Sequence, residues 1–310
     1  IDTLHHQLRG KLFVGSDPSP VPAHEKINNF NPMIPGTGIT PDCTVSVGKP
    51  YGLSTRPNYD ICQKPGRPGS GEIFLLGDSH AQHLVPMLDL VTTRTGQRLS
   101  FAAMGGCFPD PMVQINWGMK DYGPCQDFVR GEMDRAVERL KPGDIVMLSS
   151  WLNYYLSDTD ARGQPNGAVM EAGGRRLTAA QSTWFDTTRS MGVGHSLGAG
   201  EKQVGVFFVD TPILAREMMF CPRDFTRTCS PEAEQTALMQ QRLRDTLMAA
   251  AADLPNVHVF DSTPTFLDAK GRVTYRKPDG TPLFADSNHL SITGSRSLAE
   301  PFERFLVQSG

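Results

Sequence analysis

Three features that would assign this chain of 310 residues to a familiar class are missing from it. No run of roughly 18 or more apolar residues occurs, so the sequence contains no candidate membrane span. Lys and Arg total 30 against 33 Asp and Glu, and the net charge of −3 gives no electrostatic basis for binding nucleic acid. No Cys-x-x-Cys motif occurs and no histidine lies at ligand spacing from a cysteine, so we predict no metal site.

The chain opens at Ile1-Asp2-Thr3 without an initiator methionine, and it shows no signal-peptide pattern. This opening suggests a mature or excised segment. With 39% hydrophobic and 20% charged residues, the chain can bury about three quarters of its unfolded surface in one large domain.

The six cysteines fall into three local groups along the sequence. They are Cys43 with Cys62, Cys107 with Cys125, and Cys221 with Cys229. Six cysteines allow about 15 connectivities, so pairing within each group is a hypothesis. Disulfides indicate an oxidising compartment.

The first 70 residues differ in composition from the rest of the chain. They are rich in Pro, Gly and Asn and show no periodic apolar pattern. We predict that residues 1–70 are a linker or extension that packs on a main domain at residues 71–310, ordered in part by Cys43 and Cys62.

After residue 70, predicted strands and helices alternate. The strands are residues 72–76, 99–103, 144–149, 203–209 and 256–260, and the helices are residues 80–93, 125–140, 178–191, 231–252 and 291–307. Repetition of strand and helix predicts an α/β fold, a three-layer α/β/α sandwich with a central, mostly parallel sheet.

Two short motifs carry the chemistry. Gly77-Asp78-Ser79-His80 follows the apolar run at residues 73–76, and Asp286-Ser287-Asn288-His289 lies near the C-terminus. A serine hydroxyl needs an imidazole to take its proton and a carboxylate to orient that imidazole. Ser79, His289 and Asp286 fit these roles.

Structural readings of the same residues stay open. Gly-Asp-Ser is a common turn, and an aspartate before a histidine can simply cap a helix. We expect His80 to point away from the serine and His83 to be a helix-surface or packing residue, neither of them catalytic.

The two motifs together resemble the SGNH hydrolase superfamily. The longer strings LLGDSHAQHL and DSNHLSITGS look more specifically like the extracytoplasmic SGNH domain found behind a membrane-bound acyltransferase-3 domain, and the resemblance spans roughly residues 70 to 305. It implies the same α/β/α sandwich and the same catalytic residues, Ser79, Asp286 and His289.

The resemblance also implies an oxyanion hole. Its donors would be the N–H of Ser79, the N–H of Gly106 after the second strand and an asparagine after the third. The third block departs from the superfamily pattern, because Ser150-Trp151-Leu152-Asn153 contains no Gly-x-Asn-Asp. Asn153 is the only nearby amide, and Trp151 would either pack in the core or stack on a sugar ring.

The function implied by the resemblance is O-acylation, and specifically O-acetylation, of a bacterial surface polysaccharide or lipopolysaccharide through a Ser79 acyl-enzyme. The implied acyl supplier is a membrane acyltransferase-3 domain, which would tether this domain on the periplasmic side of the inner membrane. No cofactor is required. Two alternatives remain: a carbohydrate O-acetyl esterase with the same triad, and a non-catalytic glycan-binding module.

Overall fold

A computed structural model describes residues 34, 36–46, 62–108, 114–116, 123–139, 141–155, 169–172, 175–177, 204–212, 233–252, 254 and 256–309. Within these residues the main sheet has seven strands. They are β1 (Thr44–Ser46), β2 (Gln63–Lys64), β3 (Glu72–Gly77), β4 (Arg98–Gly105), β6 (Ile145–Ser149), β9 (Val204–Val209) and β10 (Val257–Asp261).

The strand order of the main sheet is β1-β4-β3-β6-β9-β10, and all of these neighbours are parallel. Strand β2 pairs with β4 in the antiparallel direction. A second, antiparallel sheet contains β5 (Gln114–Asn116), β7 (Val169–Ala172) and β8 (Arg175–Leu177). The predicted mostly parallel α/β sheet is therefore confirmed.

Alternate residues of β3 fill two separate cores. Ile73 and Leu75 face one core, and Phe74 and Leu76 face the other. The first core packs under α2 (Val85–Thr95), α6 (Ile292–Ser297) and α7 (Ala299–Ser309), and the second under α3 (Gly123–Arg139) and α5 (Ala233–Ala251). A strand buried on both faces is uniformly apolar, which explains why residues 73–76 are a continuous hydrophobic run.

Two predicted helices are each interrupted. The helix predicted at residues 80–93 is α1 (Ser79–Gln82) followed by α2, and the helix predicted at residues 291–307 is α6 followed by α7. Pro86 and Pro301 explain both breaks, because a proline has no N–H to donate to the carbonyl four residues earlier. The helix predicted at residues 178–191 lies outside the described residues.

The proline-rich lead-in contributes β1 and β2 to the main sheet, which the sequence did not predict. A disulfide joins Cys43, just before β1, to Cys62, just before β2, and both sulfurs are buried. The boundary at residue 70 stays a prediction. A second disulfide joins Cys107 to Cys125, whereas Cys221 and Cys229 lie outside the described residues. Among the described helices, none is long and apolar enough to cross a lipid bilayer.

Candidate active site

The serine turn begins where β3 meets its neighbour β6. Gly77 has φ +154° and lies so close to β6 that an added Cβ would be 1.6 Å from the carbonyl oxygen of Ser149. Only glycine fits this approach, because any side chain would push the two strands apart. The chain then turns at Asp78, and Ser79 becomes the first residue of α1 at the carboxyl end of the sheet.

Asp78 fixes this turn with a fully buried carboxylate. Its Oδ1 accepts from the backbone N–H of His80 at 2.8 Å, and its Oδ2 accepts from the N–H of Trp151 at 3.1 Å and from the hydroxyl of Tyr155 at 2.9 Å. Burial raises the pKa of Asp78, against the opposing effects of the His80 charge and these three donors. The carboxylate thus fastens the serine turn to the segment that follows β6 and to α4 (Leu152–Tyr155).

The turn at residues 286–289, called the acid–base turn below, is held by Asp286 and by the helix that follows it. Asp286 Oδ1 accepts from the N–H of Asn288 at 2.9 Å and from the N–H of His289 at 2.8 Å. Ser291 caps α6 by accepting from the N–H of Gly294 at 3.0 Å, and its hydroxyl donates to the carbonyl of Pro282 at 2.7 Å. This local network holds the turn that carries Asp286 and His289.

A chain of two hydrogen bonds joins Ser79 to His289 and His289 to Asp286, although Ser79 and His289 are 210 residues apart in sequence. Ser79 Oγ is 2.9 Å from His289 Nε2, and His289 Nδ1 is 2.8 Å from Asp286 Oδ2. Burial tends to raise the pKa of Asp286, but the hydrogen bond and the charge of His289 outweigh it and lower that pKa. An ionised Asp286 favours a proton on Nδ1 and leaves Nε2 to accept the serine proton.

The predicted oxyanion donors occupy neighbouring strand ends. Gly106 follows β4 with φ +70°, and β4 lies beside β3, with Gly77 paired to Ala103. The N–H of Ser79 has no acceptor among the described residues. Backbone N–H groups at this edge are suited to stabilising a developing negative charge. The donor roles of Ser79 and Gly106 stay predictions.

Asn153 is buried and hydrogen-bonded, whereas Trp151 is half-buried and stacks on two other rings. The buried Asn153 donates from Nδ2 to the carbonyl of Thr211 at 2.9 Å, which uses one of its two amide hydrogens. Trp151 is half-buried, and its ring stacks on Tyr154 with centroids 4.3 Å apart and on His80 with centroids 5.7 Å apart. The roles of Asn153 in the oxyanion hole and of Trp151 in substrate binding stay predictions.

His80 and His83 are buried, and the rings of both lie against the ring of His289, where sequence reasoning assigned them no role. Their ligand atoms and those of Asp210 lie within 4.8 Å of one another, close enough to hold a metal ion. However, His80 Nδ1 is hydrogen-bonded to Asp210 at 2.7 Å, and His83 Nδ1 accepts from the N–H of Leu290 at 3.3 Å. Both Nδ1 atoms therefore have partners within the protein, and the absence of a metal site stays a prediction.

A parallel α/β sheet with Ser79, His289 and Asp286 at its carboxyl edge defines an SGNH hydrolase-like protein. The chain belongs to the family described as the SGNH domain fused to AT3 domains, because the family model matches residues 43–304.

Similar folds occur in solved structures. One is the periplasmic domain of a lipopolysaccharide acetyltransferase from Salmonella ser. Paratyphi A, with 13% identity, 86% of this chain and 91% of that chain covered and a TM-score of 0.55. Another is a catalytic mutant of Axe2, an acetylxylan esterase from Geobacillus stearothermophilus, with 13% identity, coverage of 76% and 93% and a TM-score of 0.43. No curated protein matches the sequence.

Proposed function

We propose that this chain is an extracytoplasmic serine-dependent O-acyltransferase domain that acetylates a bacterial cell-surface polysaccharide or lipopolysaccharide. The observation that carries the chemistry is the 2.9 Å contact between Ser79 Oγ and His289 Nε2, with Asp286 on the other ring nitrogen. The family's fusion to AT3 domains supports a membrane acyltransferase as the acyl supplier. The acceptor named for the Salmonella domain supports the choice of glycan.

In the first half-reaction Ser79 Oγ attacks the acyl carbonyl of the donor. His289 Nε2 takes the hydroxyl proton as the new C–O bond forms, and then delivers it to the leaving group as the old acyl bond breaks. Asp286 stabilises the imidazolium between these two steps. The N–H groups of Ser79 and Gly106 hold the oxyanion, and the second amide hydrogen of Asn153 is the proposed third donor.

In the second half-reaction a sugar hydroxyl replaces the serine. His289 removes the hydroxyl proton, the sugar oxygen attacks the serine ester, and the proton returns to Ser79 Oγ as the ester breaks. Trp151 and the ring of Tyr154 stacked on it offer an aromatic face for the sugar. If water attacks instead, the same residues make an O-acetyl esterase, and the partial exposure of Ser79 and His289 gives water access to the ester.

The first experiment measures hydrolysis of a small activated acetyl ester. We expect slow turnover by the natural chain and loss of that turnover in Ser79→Ala, because no other group replaces the nucleophile. Ser297→Ala is the matched control, since its hydroxyl only donates to the carbonyl of Thr293 in α6. Equal turnover in Ser79→Ala and the natural chain would refute the triad, and no turnover in the folded natural chain would favour a glycan-binding module.

The second experiment separates transfer from hydrolysis. The chain is incubated with the acetyl donor and a bare polysaccharide, and the polysaccharide is weighed by mass spectrometry. A gain of acetyl groups that depends on Ser79 supports the acyltransferase. Loss of acetyl from a pre-acetylated polysaccharide, with no gain on the bare one, supports the esterase.

A further inference from the structure

A second histidine–aspartate pair is formed by Asp210 and by His80, the residue that directly follows the nucleophile Ser79. His80 Nδ1 is 2.7 Å from Asp210 Oδ1, and both side chains are fully buried. Asp210 also accepts from the N–H of Thr211 at 2.9 Å and, more weakly, from the N–H of Asn153 at 3.4 Å. The carboxylate is therefore anchored at the end of β9 and at the start of α4.

The backbone of His80 is held as firmly as its ring. Its N–H donates to Asp78 Oδ1 at 2.8 Å, and its carbonyl accepts from the hydroxyl of Ser149 at 3.2 Å. Because His80 directly follows Ser79, these bonds and the bond to Asp210 tie the nucleophile to β6 and β9. A displacement of Asp210 would thus be transmitted to Ser79.

The His80 ring lies against the general base. The centroids of His80 and His289 are 4.9 Å apart, and His80 stacks nearly parallel to Trp151 at 5.7 Å. Burial alone would lower the pKa of His80, but the charge and hydrogen bond of Asp210 reverse this and raise it. A positively charged His80 can also be stabilised by the face of Trp151.

His83 behaves in the opposite way. Burial and the nearby charges of His80 and His289 lower the pKa of His83 well below its usual range. A neutral His83 with its proton on Nε2 can accept from Leu290 through Nδ1, as the 3.3 Å contact requires. Of the two buried histidines beside His289, His80 is therefore the one whose surroundings favour the charged form.

We propose that His80 and Asp210 form a positioning ion pair, which fastens the nucleophile turn to β9 and keeps a fixed positive charge beside His289. This inference rests on the proposed serine chemistry. This charge lies beside the general base, with the ring centroids of His80 and His289 4.9 Å apart. Neither His80 nor Asp210 contacts the reacting atoms.

Other ionisable groups face this pair from each surrounding element. They are Asp78 in the serine turn, His83 after α1, Tyr155 in α4, and Asp286 and His289 in the acid–base turn. Asp78 and Asp286 are the negative charges in this set. Removing the positive charge of His80 leaves them unopposed, which gives the expected shift its direction.

The test is the pH profile of kcat/KM for the activated acetyl ester. Asp210→Asn keeps the shape of the side chain but lets His80 lose its proton, and His80→Gln removes the charge directly. For unit charges 4.9 Å apart, both variants should move the acid limb upward by about 0.6 pH unit if the screening is that of bulk water, and by about 2.5 pH units at an effective dielectric constant of about 20. His258→Gln is the control, because the His258 ring packs on Phe305 in another part of the fold.

A fall in rate with an unmoved acid limb in both variants would mean that the pair is merely structural, and would overturn the proposal. Unchanged rates and profiles would overturn it as well. If the natural chain shows no esterase turnover, the proposed function fails before the pair is tested by kinetics.

A second measurement does not depend on activity or on folded variants. In the natural chain labelled with ¹⁵N-histidine, His80 should lose its second ring proton at a higher pH than the ordinary histidine value of about 6.5, and His83 should lose it at a lower pH. An assigned His80 that loses its proton below about pH 6.5, the ordinary histidine value, would overturn the proposal even if the chain is an active esterase.

Discussion

Asp286→Asn is a sharp test of the triad, because it changes one atom type in a fully described contact network. Oδ1 of Asp286 accepts two backbone N–H groups in its own turn, at 2.9 Å and 2.8 Å. The amide oxygen of asparagine can keep both of these bonds. Oδ2, which accepts from His289 Nδ1 at 2.8 Å, becomes an NH₂ group that can only donate.

The imidazole must then place its proton on Nε2 in order to accept through Nδ1. That proton would face Ser79 Oγ, which lies 2.9 Å away, so the serine could no longer transfer its own proton to His289. A wrong tautomer of this kind lowers kcat by about 10⁴, which corresponds to about 5.4 kcal/mol of lost transition-state stabilisation.

The assay is hydrolysis of the activated acetyl ester, with urea unfolding of the same samples to show that the fold is retained. Asp279→Asn is the matched control, because Asp279 also accepts a backbone N–H, that of Thr281 at 2.9 Å, in an exposed turn. This control should keep full activity. A fall of less than tenfold in Asp286→Asn would refute the assigned role of Asp286.

Three further predictions concern stability. Gly77→Ala should reduce the free energy of unfolding by more than about 3 kcal/mol, because its Cβ would overlap the carbonyl of Ser149; a loss below about 1 kcal/mol in urea would contradict this packing. Tyr155→Phe should reduce it by about 1–3 kcal/mol, since buried Asp78 loses a donor, and an unchanged urea midpoint would exclude that bond. The pKa of Asp286 is lowered in the folded chain, so its ionised carboxylate stabilises the fold above the ordinary pKa of 3.8. That stabilisation is lost as pH falls through the lower, folded pKa, so the stability difference between the natural chain and Asp286→Asn should shrink below pH 3.8; a difference that stays constant there would contradict this.

The sequence predicted the parts of the fold that have local signals. All five predicted strands are present, and their ends differ from the predicted ones by at most two residues, because each strand is an apolar run bounded by turn residues. The serine turn and the acid–base turn were predicted from motif and resemblance together. The structure brings their side chains into contact across the sheet edge.

Other parts had no local signal. Strands β1 and β2 are three and two residues long, too short for a periodic pattern, and they are defined only by pairing with the distant β4. The pairing of His80 with Asp210 spans 130 residues of sequence. The only sequence clue to that pair is the position of Asp210, directly after a predicted strand at the edge where Ser79 lies.

The central claim is that Ser79 carries the acyl group during turnover. The most direct measurement is mass spectrometry of the chain quenched during reaction with the activated acetyl ester, followed by proteolysis and peptide sequencing. The account predicts one acetyl group on Ser79 in the natural chain and none in Ser79→Ala. Acetyl on a different residue that sustains turnover, or full turnover by Ser79→Ala, would contradict it.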